Sequence, residues 1–488
     1  MSSFPVPRPA WLCSRFSLVL VALLMAACGG GGGGGSSSAV VTGSAASAPG
    51  SDDNSALVPV PALIPDVAEI EVSRYALWSD ELASTPLIVK VRESGSTAPE
   101  VAYFDGFIGG SGARLNHALF DDGSHGDEVA GDGIWTLSFT LDLAEPSALR
   151  LYDGMVDILP LTIRTSGRER TVEMAVVSRA LQGTVNTEPL NASVIVTDAL
   201  VSMVDATFDG QTLSDVTENL YSLYPDDSFD FLVIFHTRPT GDGVPRSLGV
   251  RNAIGGINLG DYDTSAAYGS AGRLQQVIFQ NANLTGREVI HELGHRWGAF
   301  LDDPALNLSI PTGFHWGVST HVGQLGNGPF LLADGNGGYL VTNANGSEDF
   351  ISNAYSSLEL YLMGLASPAE VAPLRFVTDP SVDARFGTTL PESSTRVVGI
   401  ADIVAVYGER LPASTTSPKA FSAAFVVVSD APLSEAEYTL STHIARYVGG
   451  ASDGGVRNGG LFELMDPPSF AAATGFRASL ETRLPPAG

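Results

Sequence analysis

The sequence predicts a multidomain protein, an all-β sandwich near the N-terminus followed by a C-terminal α+β domain. Three observations predict it. The 488 residues exceed one typical domain. Short alternating apolar segments separated by turn residues begin near Val67, and no convincing helix precedes about Leu181. Beyond Leu181 short buried-type strands alternate with helical periodicity.

The first element is a processing signal. Arg8 and Arg15 give a positive start, and Phe16 to Ala27 is an apolar run too short to span a bilayer comfortably. It ends Leu24-Met25-Ala26-Ala27-Cys28, followed by seven glycines and three serines. Small residues before a cysteine resemble a bacterial lipobox, although Met25 stands where leucine is usual. The resemblance implies that residues 1–27 are a lipoprotein signal peptide and that Cys28 is lipidated. It also implies a membrane anchor at the bacterial outer membrane or cell surface, because Gly29 is not the aspartate associated with inner-membrane retention. The alternative is an ordinary signal peptide cut after Ala27, releasing a secreted protein. Residues 28–57 are Gly, Ser and Ala with little else, a flexible tether that cannot bury enough apolar area to offset its ordering entropy.

Residues 58–180 carry the sandwich. Val67 to Val72, Leu87 to Val91, Val101 to Phe104 and Gly133 to Leu141 are its clearest strands. Within it, Asp121-Asp122-Gly123-Ser124-His125-Gly126-Asp127-Glu128-Val129-Ala130-Gly131-Asp132-Gly133 holds five carboxylates in thirteen residues. Such a loop can wrap a hard cation, so Ca2+ is a candidate between Asp121 and Asp132; a hydrogen-bonded Asx/Gly turn explains it equally simply. The run resembles turns of Ig-like modules in bacterial surface proteins, which implies an Ig-like sandwich. His117 and His125 read as surface or turn residues.

Charge and cysteine content narrow the function. Lys+Arg number 26 against 54 Asp+Glu, a formal net of −28. That argues against nucleic acid or an anionic membrane surface as a partner, since both need clustered basic groups. The two cysteines, Cys13 and Cys28, both lie in the signal region, so the folded part has no disulfide.

The chemistry is expected in residues 181–420. Asp230 to Phe235 and Leu274 to Phe279 read as buried strands, with turns and short strands between Gly249 and Gly260. Thr285-Gly286-Arg287-Glu288 has the form of a capping box for a helix from Arg287 to about Phe300. That helix carries His291-Glu292-Leu293-Gly294-His295. Histidines four residues apart leave one helical face and can hold one metal ion. Val289, Leu293, Trp297 and Phe300 form the buried face. A zinc ion there lowers the pKa of a water and polarises a carbonyl, and Glu292 is placed to act as general base.

This stretch resembles the zincin metallopeptidases. The resemblance implies a zincin-like α+β domain, a Zn2+ cofactor, a protein or peptide substrate and hydrolysis of its peptide bonds. In that superfamily an edge strand preceding the helix binds substrate as an added strand, and Leu274 to Phe279 is the candidate. The metzincin pattern is matched through Gly298, but Leu301 stands at its third ligand position and cannot bind zinc. Asp302 falls one residue late. His315, in Phe314-His315-Trp316-Gly317, and His321 are ligand types in a loop, and His315 is a candidate ligand or transition-state donor. The preferred third ligand is Glu359, on the helical segment Tyr355 to Leu365, because a carboxylate among apolar residues needs a cation. A glutamate on a later helix is similar to the gluzincin arrangement, although the gluzincin signature around it is absent. Tyr355 and Tyr361 are possible oxyanion donors with packing the safer reading. His236 and His443 read as structural. The segments from Asp230 to Pro373 also look like a group of bacterial secreted proteins with an HExxH core.

Residues 421–488 contain a buried strand, Phe421 to Val428, and a helix, Glu435 to Tyr447. They complete the catalytic domain or form a small module. Two rivals accompany the peptidase reading: a catalytically silent surface binding or adhesion protein that retains the fold, and a zinc hydrolase of non-peptide amides.

Overall fold

A computed structural model describes residues 70–93, 97–104, 114–141, 156–165, 169–210, 212–238, 245–281, 286–304, 306, 308–309, 314–321, 323–326, 330–342, 354–377, 387–450 and 469–487. The signal sequence, Cys28, the tether and the Thr285 cap lie outside them. The protein is β-rich, with several sheets and few helices. Among the described residues no helix is long and apolar enough to cross a membrane.

The first eight strands are β1 (Ile70–Val72), β2 (Ala76–Trp78), β3 (Leu87–Arg92), β4 (Glu100–Phe104), β5 (Arg114–Ala118), β6 (Ile134–Phe139), β7 (Val156–Arg164) and β8 (Glu169–Val177). They form two sheets, β1-β3-β6 and β2-β8-β7-β4-β5. Alternation along β3 places Leu87, Val89 and Val91 inside. These meet Val101, Tyr103, Leu161, Ile163 and Met174 of the second sheet in one apolar core between the layers. The acidic loop lies between β5 and β6. Asp121 accepts the N–H groups of Gly131, Asp132 and Gly133, and Asp127 accepts that of Gly123 at 2.7 Å. One oxygen each from Asp121, Asp127 and Asp132 lies within 4.8 Å of the others, a spacing that could hold a metal ion. His117 stacks against Tyr103 and Phe139, and His125 on Phe120.

The remainder begins with β9 (Glu188–Pro189), β10 (Val194–Val196), β11 (Leu200–Val204), α1 (Leu213–Leu223), β12 (Phe231–His236), β13 (Arg246–Gly249), β14 (Arg251–Asn252), β15 (Tyr262–Asp263), β16 (Gln276–Asn281) and α2 (Gly286–Gly294). It continues with β17 (Phe330–Ala333), β18 (Gly338–Thr342), α3 (Ser357–Leu362), β19 (Leu374–Val377), β20 (Thr389–Pro391), β21 (Thr395–Val398), α4 (Ile400–Tyr407), β22 (Ala420–Ser429), α5 (Glu435–Val448), α6 (Phe470–Ala473) and β23 (Ser479–Glu481).

The main sheet runs β13-β16-β12-β22-β11-β10-β9, with β23 added beside β22. β16, β12, β22 and β11 are mutually parallel, and β13 is antiparallel to β16. Both faces are covered, which is why these strands read as unbroken apolar runs. Phe231, Val233 and Phe235 face α2 and α5 in one core; Leu232 and Ile234 face α1 in the other. The sequence pattern had not marked α1.

Leu274 to Phe279 was expected at the edge. It is interior: β16 lies between β12 and β13, and the edge strand is β13. Burial on both faces, with Val277, Ile278 and Phe279 almost wholly enclosed, is the mark of an inner strand. The α2 helix is also shorter than expected. From His295 the chain tightens into turns, with Arg296 N–H donating to Leu293 and Trp297 N–H to Gly294, and Ala299 takes a positive φ of 64°. β22 is the middle of the sheet, so residues 420–429 are integral to it.

Candidate metal centre

α2 follows β16 and lies against it, with Gln276 Nε2 donating to the Glu292 carbonyl at 2.7 Å. Val289, Ile290, Leu293 and Trp297 pack into the core. This leaves His291 and His295 on one side of the helix and its following turn. The 314–326 region comes up against them: Trp316 N–H donates to the Leu325 carbonyl at 2.9 Å, and Gly317 N–H to Leu308. His315 is thereby carried to the helix.

Three imidazoles converge. His291 Nε2 lies 3.1 Å from His315 Nε2 and 3.2 Å from His295 Nε2. All three ligand nitrogens fall within 4.8 Å of one another and could hold one metal ion. Nitrogens bound at about 2.0–2.1 Å around one tetrahedral ion sit about 3.3–3.4 Å apart, so the spacing fits such an ion closely. His291 Nδ1 is 2.6 Å from the Gln324 carbonyl, which can only accept. The proton therefore resides on Nδ1, and Nε2 presents its lone pair to the centre. Nδ1 of His295 is buried with no hydrogen-bond partner among the described residues.

Electrostatics point the same way. Burial, then the neighbouring His291 and His315, holds His295 well below the ordinary histidine value. Burial and His291 push His315 down to about 4. Neutral imidazoles are the form that binds a cation. Glu292 is 7 % exposed and follows His291 by about 100° around the helix, on the adjoining face.

Glu359 does not belong to this group, which corrects its assignment as third ligand. Its Oε1 accepts Trp316 Nε1–H at 3.1 Å and Leu325 N–H at 2.7 Å. Its Oε2 accepts Gln324 N–H at 3.1 Å and Ser356 N–H at 2.7 Å. The buried carboxylate is satisfied by hydrogen bonds instead of a metal. Burial alone raises its pKa, but His321 at 3.5 Å and the backbone N–H groups of Ser356 and Leu325 outweigh it and hold the group down at about 2. The third imidazole of the cluster is His315, which the sequence offered as a ligand or transition-state donor, or as an ordinary loop histidine.

The other candidates have structural places. His321 bonds Ser356 Oγ at 3.0 Å. Asp302 accepts Asn258 Nδ2–H, and Leu301 is buried in the core. Tyr355 OH donates to the Ile290 carbonyl, which engages its proton, and Tyr361 OH accepts Arg410 N–H within the core. His443 pairs with Thr184. His236 is buried beside Phe208 and Phe279.

Compared with protein-family models, curated proteins and solved structures, the chain has no significant match.

Proposed function

We propose that this protein is a zinc-dependent peptidase of the zincin type, with His291, His295 and His315 as metal ligands and Glu292 as general base. The observation that carries the reading is the convergence of three Nε2 atoms, with separations of 3.1 and 3.2 Å, beside a helical glutamate. Three imidazoles leave a fourth position open, as catalytic zinc sites require. Zinc bound there would supply a water of lowered pKa and an electrophile for the scissile carbonyl. Glu292 then takes a proton from the attacking water and passes it to the departing amine. His291 is held in orientation by Gln324. The outer strand β13 offers backbone groups along which an extended peptide substrate can add as a further strand. A mixed sheet with a parallel centre and an outer strand, β13, antiparallel to its neighbour, followed by the histidine helix, supports the zincin fold.

The amino-terminal signal adds export and a lipid anchor at Cys28 to this proposal. Fatty-acid labelling that persists in Cys28→Ser would remove the anchor.

The test is zinc content and caseinolytic activity of the purified chain beside Glu292→Gln. About one zinc per chain is expected in both, with hydrolysis only in the parent and lost to a chelator. Zinc without hydrolysis of any peptide library would favour a surface binding protein. Absence of zinc, after purification without chelators, would overturn the proposal.

A further inference from the structure

Glu359 is 2 % exposed, and no lysine or arginine pairs with it among the described residues. Among the described residues, its N–H donors from the 314–326 segment are the Trp316 indole and the backbone of Gln324 and Leu325, with the His321 ring 3.5 Å away. A further donor is Ser356, the N-cap of its own helix, in a capping box. The carboxylate therefore ties α3 to the loop that carries His315. Among the described residues that loop has only isolated bridges, and no β-ladder, to take its N–H groups. Without an acceptor they would be buried and unpaired. The fit is close: a methyl group on Gly323 would overlap the Glu359 carboxylate.

The tied residues are neighbours of the metal centre on two sides. Trp316 follows His315 directly. Gln324 gives its N–H to Glu359 and takes the Nδ1 proton of His291 on its carbonyl. We propose that Glu359 is a positioning residue for the metal centre, setting the 314–326 loop so that His315 Nε2 and the Gln324 carbonyl both meet His291. This rests on the metal-site reading above and adds a part to it. A glutamine in its place turns an amide NH2 toward N–H donors, so one end of the loop is repelled and the third ligand loses its fixed place.

The experiment is a cycle of four full-length proteins: parent, Glu359→Gln, His315→Ala and the double variant. Zinc dissociation constants are measured by chelator competition, and cobalt(II) absorption reports ligand geometry. Glu359→Gln is expected to weaken zinc about 10–100-fold, the range for residues that orient ligands, and to lower the visible cobalt band. With His315 already removed, the same substitution should weaken zinc less, because only its action through Gln324 on His291 remains. Trp316→Phe, which deletes one donor and leaves the carboxylate, provides a milder second variant and should weaken zinc in the same direction. An unchanged zinc constant in Glu359→Gln, or equal losses in both backgrounds, would make Glu359 a structural residue only and overturn the proposal. A parent that binds no divalent ion overturns the metal site itself, and this proposal with it.

Discussion

Leu325 gives its N–H to Glu359 and lays its side chain against Gly298, where a methyl group would overlap Cδ1. Gly298 is thus a contact point between the histidine helix and the ligand loop. Gly298→Ala should cost about 1–3 kcal/mol of stability, the usual penalty for overpacking a filled site. Chemical denaturation of the metal-free protein checks it, and a parent-like midpoint would contradict the packing. At this scale the sequence was informative where chemistry is local. His291, Glu292 and His295 fall within five consecutive residues, so their spacing alone revealed them. His315 comes from a loop folded back 24 residues later, and its spacing carries no period. Glu359 attracted attention because a buried carboxylate needs a partner; the partners are N–H groups 34 and 35 residues away, which no pattern shows.

The elements of the sheet were legible for a related reason. β12, β16 and β22 are apolar on both faces, so their existence was plain, but which strand lies outermost depends on the short β13, which has little apolar signature. His236 ends β12 fully enclosed, with both ring nitrogens lacking a partner among the described residues. Burial first, then the charge of Arg238, pushes it down from 6.5 to about 4. The unfolded chain therefore takes up the proton first. This residue's contribution to stability is fully present above about pH 6.5 and drains away as pH falls toward 4, by up to about 3 kcal/mol. In His236→Leu that part of the pH dependence should vanish. Urea midpoints at pH 7 and pH 4.5 measure it; parallel losses in parent and variant would show that His236 is not responsible.

Across the whole molecule the sandwich and the larger sheet share a core. Tyr75, Ala76, Trp78, Ala175 and Val177 lie in the same apolar cluster as α2 and α5. Tyr75 N–H donates to Glu437 at 2.9 Å, and its hydroxyl meets Ser441 Oγ at 3.1 Å. Burial beneath this contact raises the Glu437 carboxyl. Residues 181–488 produced alone would expose that face of α5 and leave Glu437 without its Tyr75 donor. They should aggregate or melt well below the full chain, by size-exclusion chromatography and thermal denaturation; a stable monomer would show the contact to be dispensable. The change of pattern near Leu181 marks a switch in strand type, and it cannot reveal that the two parts are packed together.

The position of β22 has a consequence in time. Asp230, at the foot of β12, hydrogen-bonds to Ser422, 192 residues further along the chain. The strand between β12 and β11 thus leaves the ribosome long after both of its neighbours, at about 5–20 residues per second. Until it arrives the sheet beneath the histidine helix is two separate pieces, and pairings this distant form slowly. A chain interrupted before residue 420 lacks the central strand. If the protein hydrolyses peptides, that order of assembly keeps a nascent or broken chain inert among the proteins of the cell that makes it.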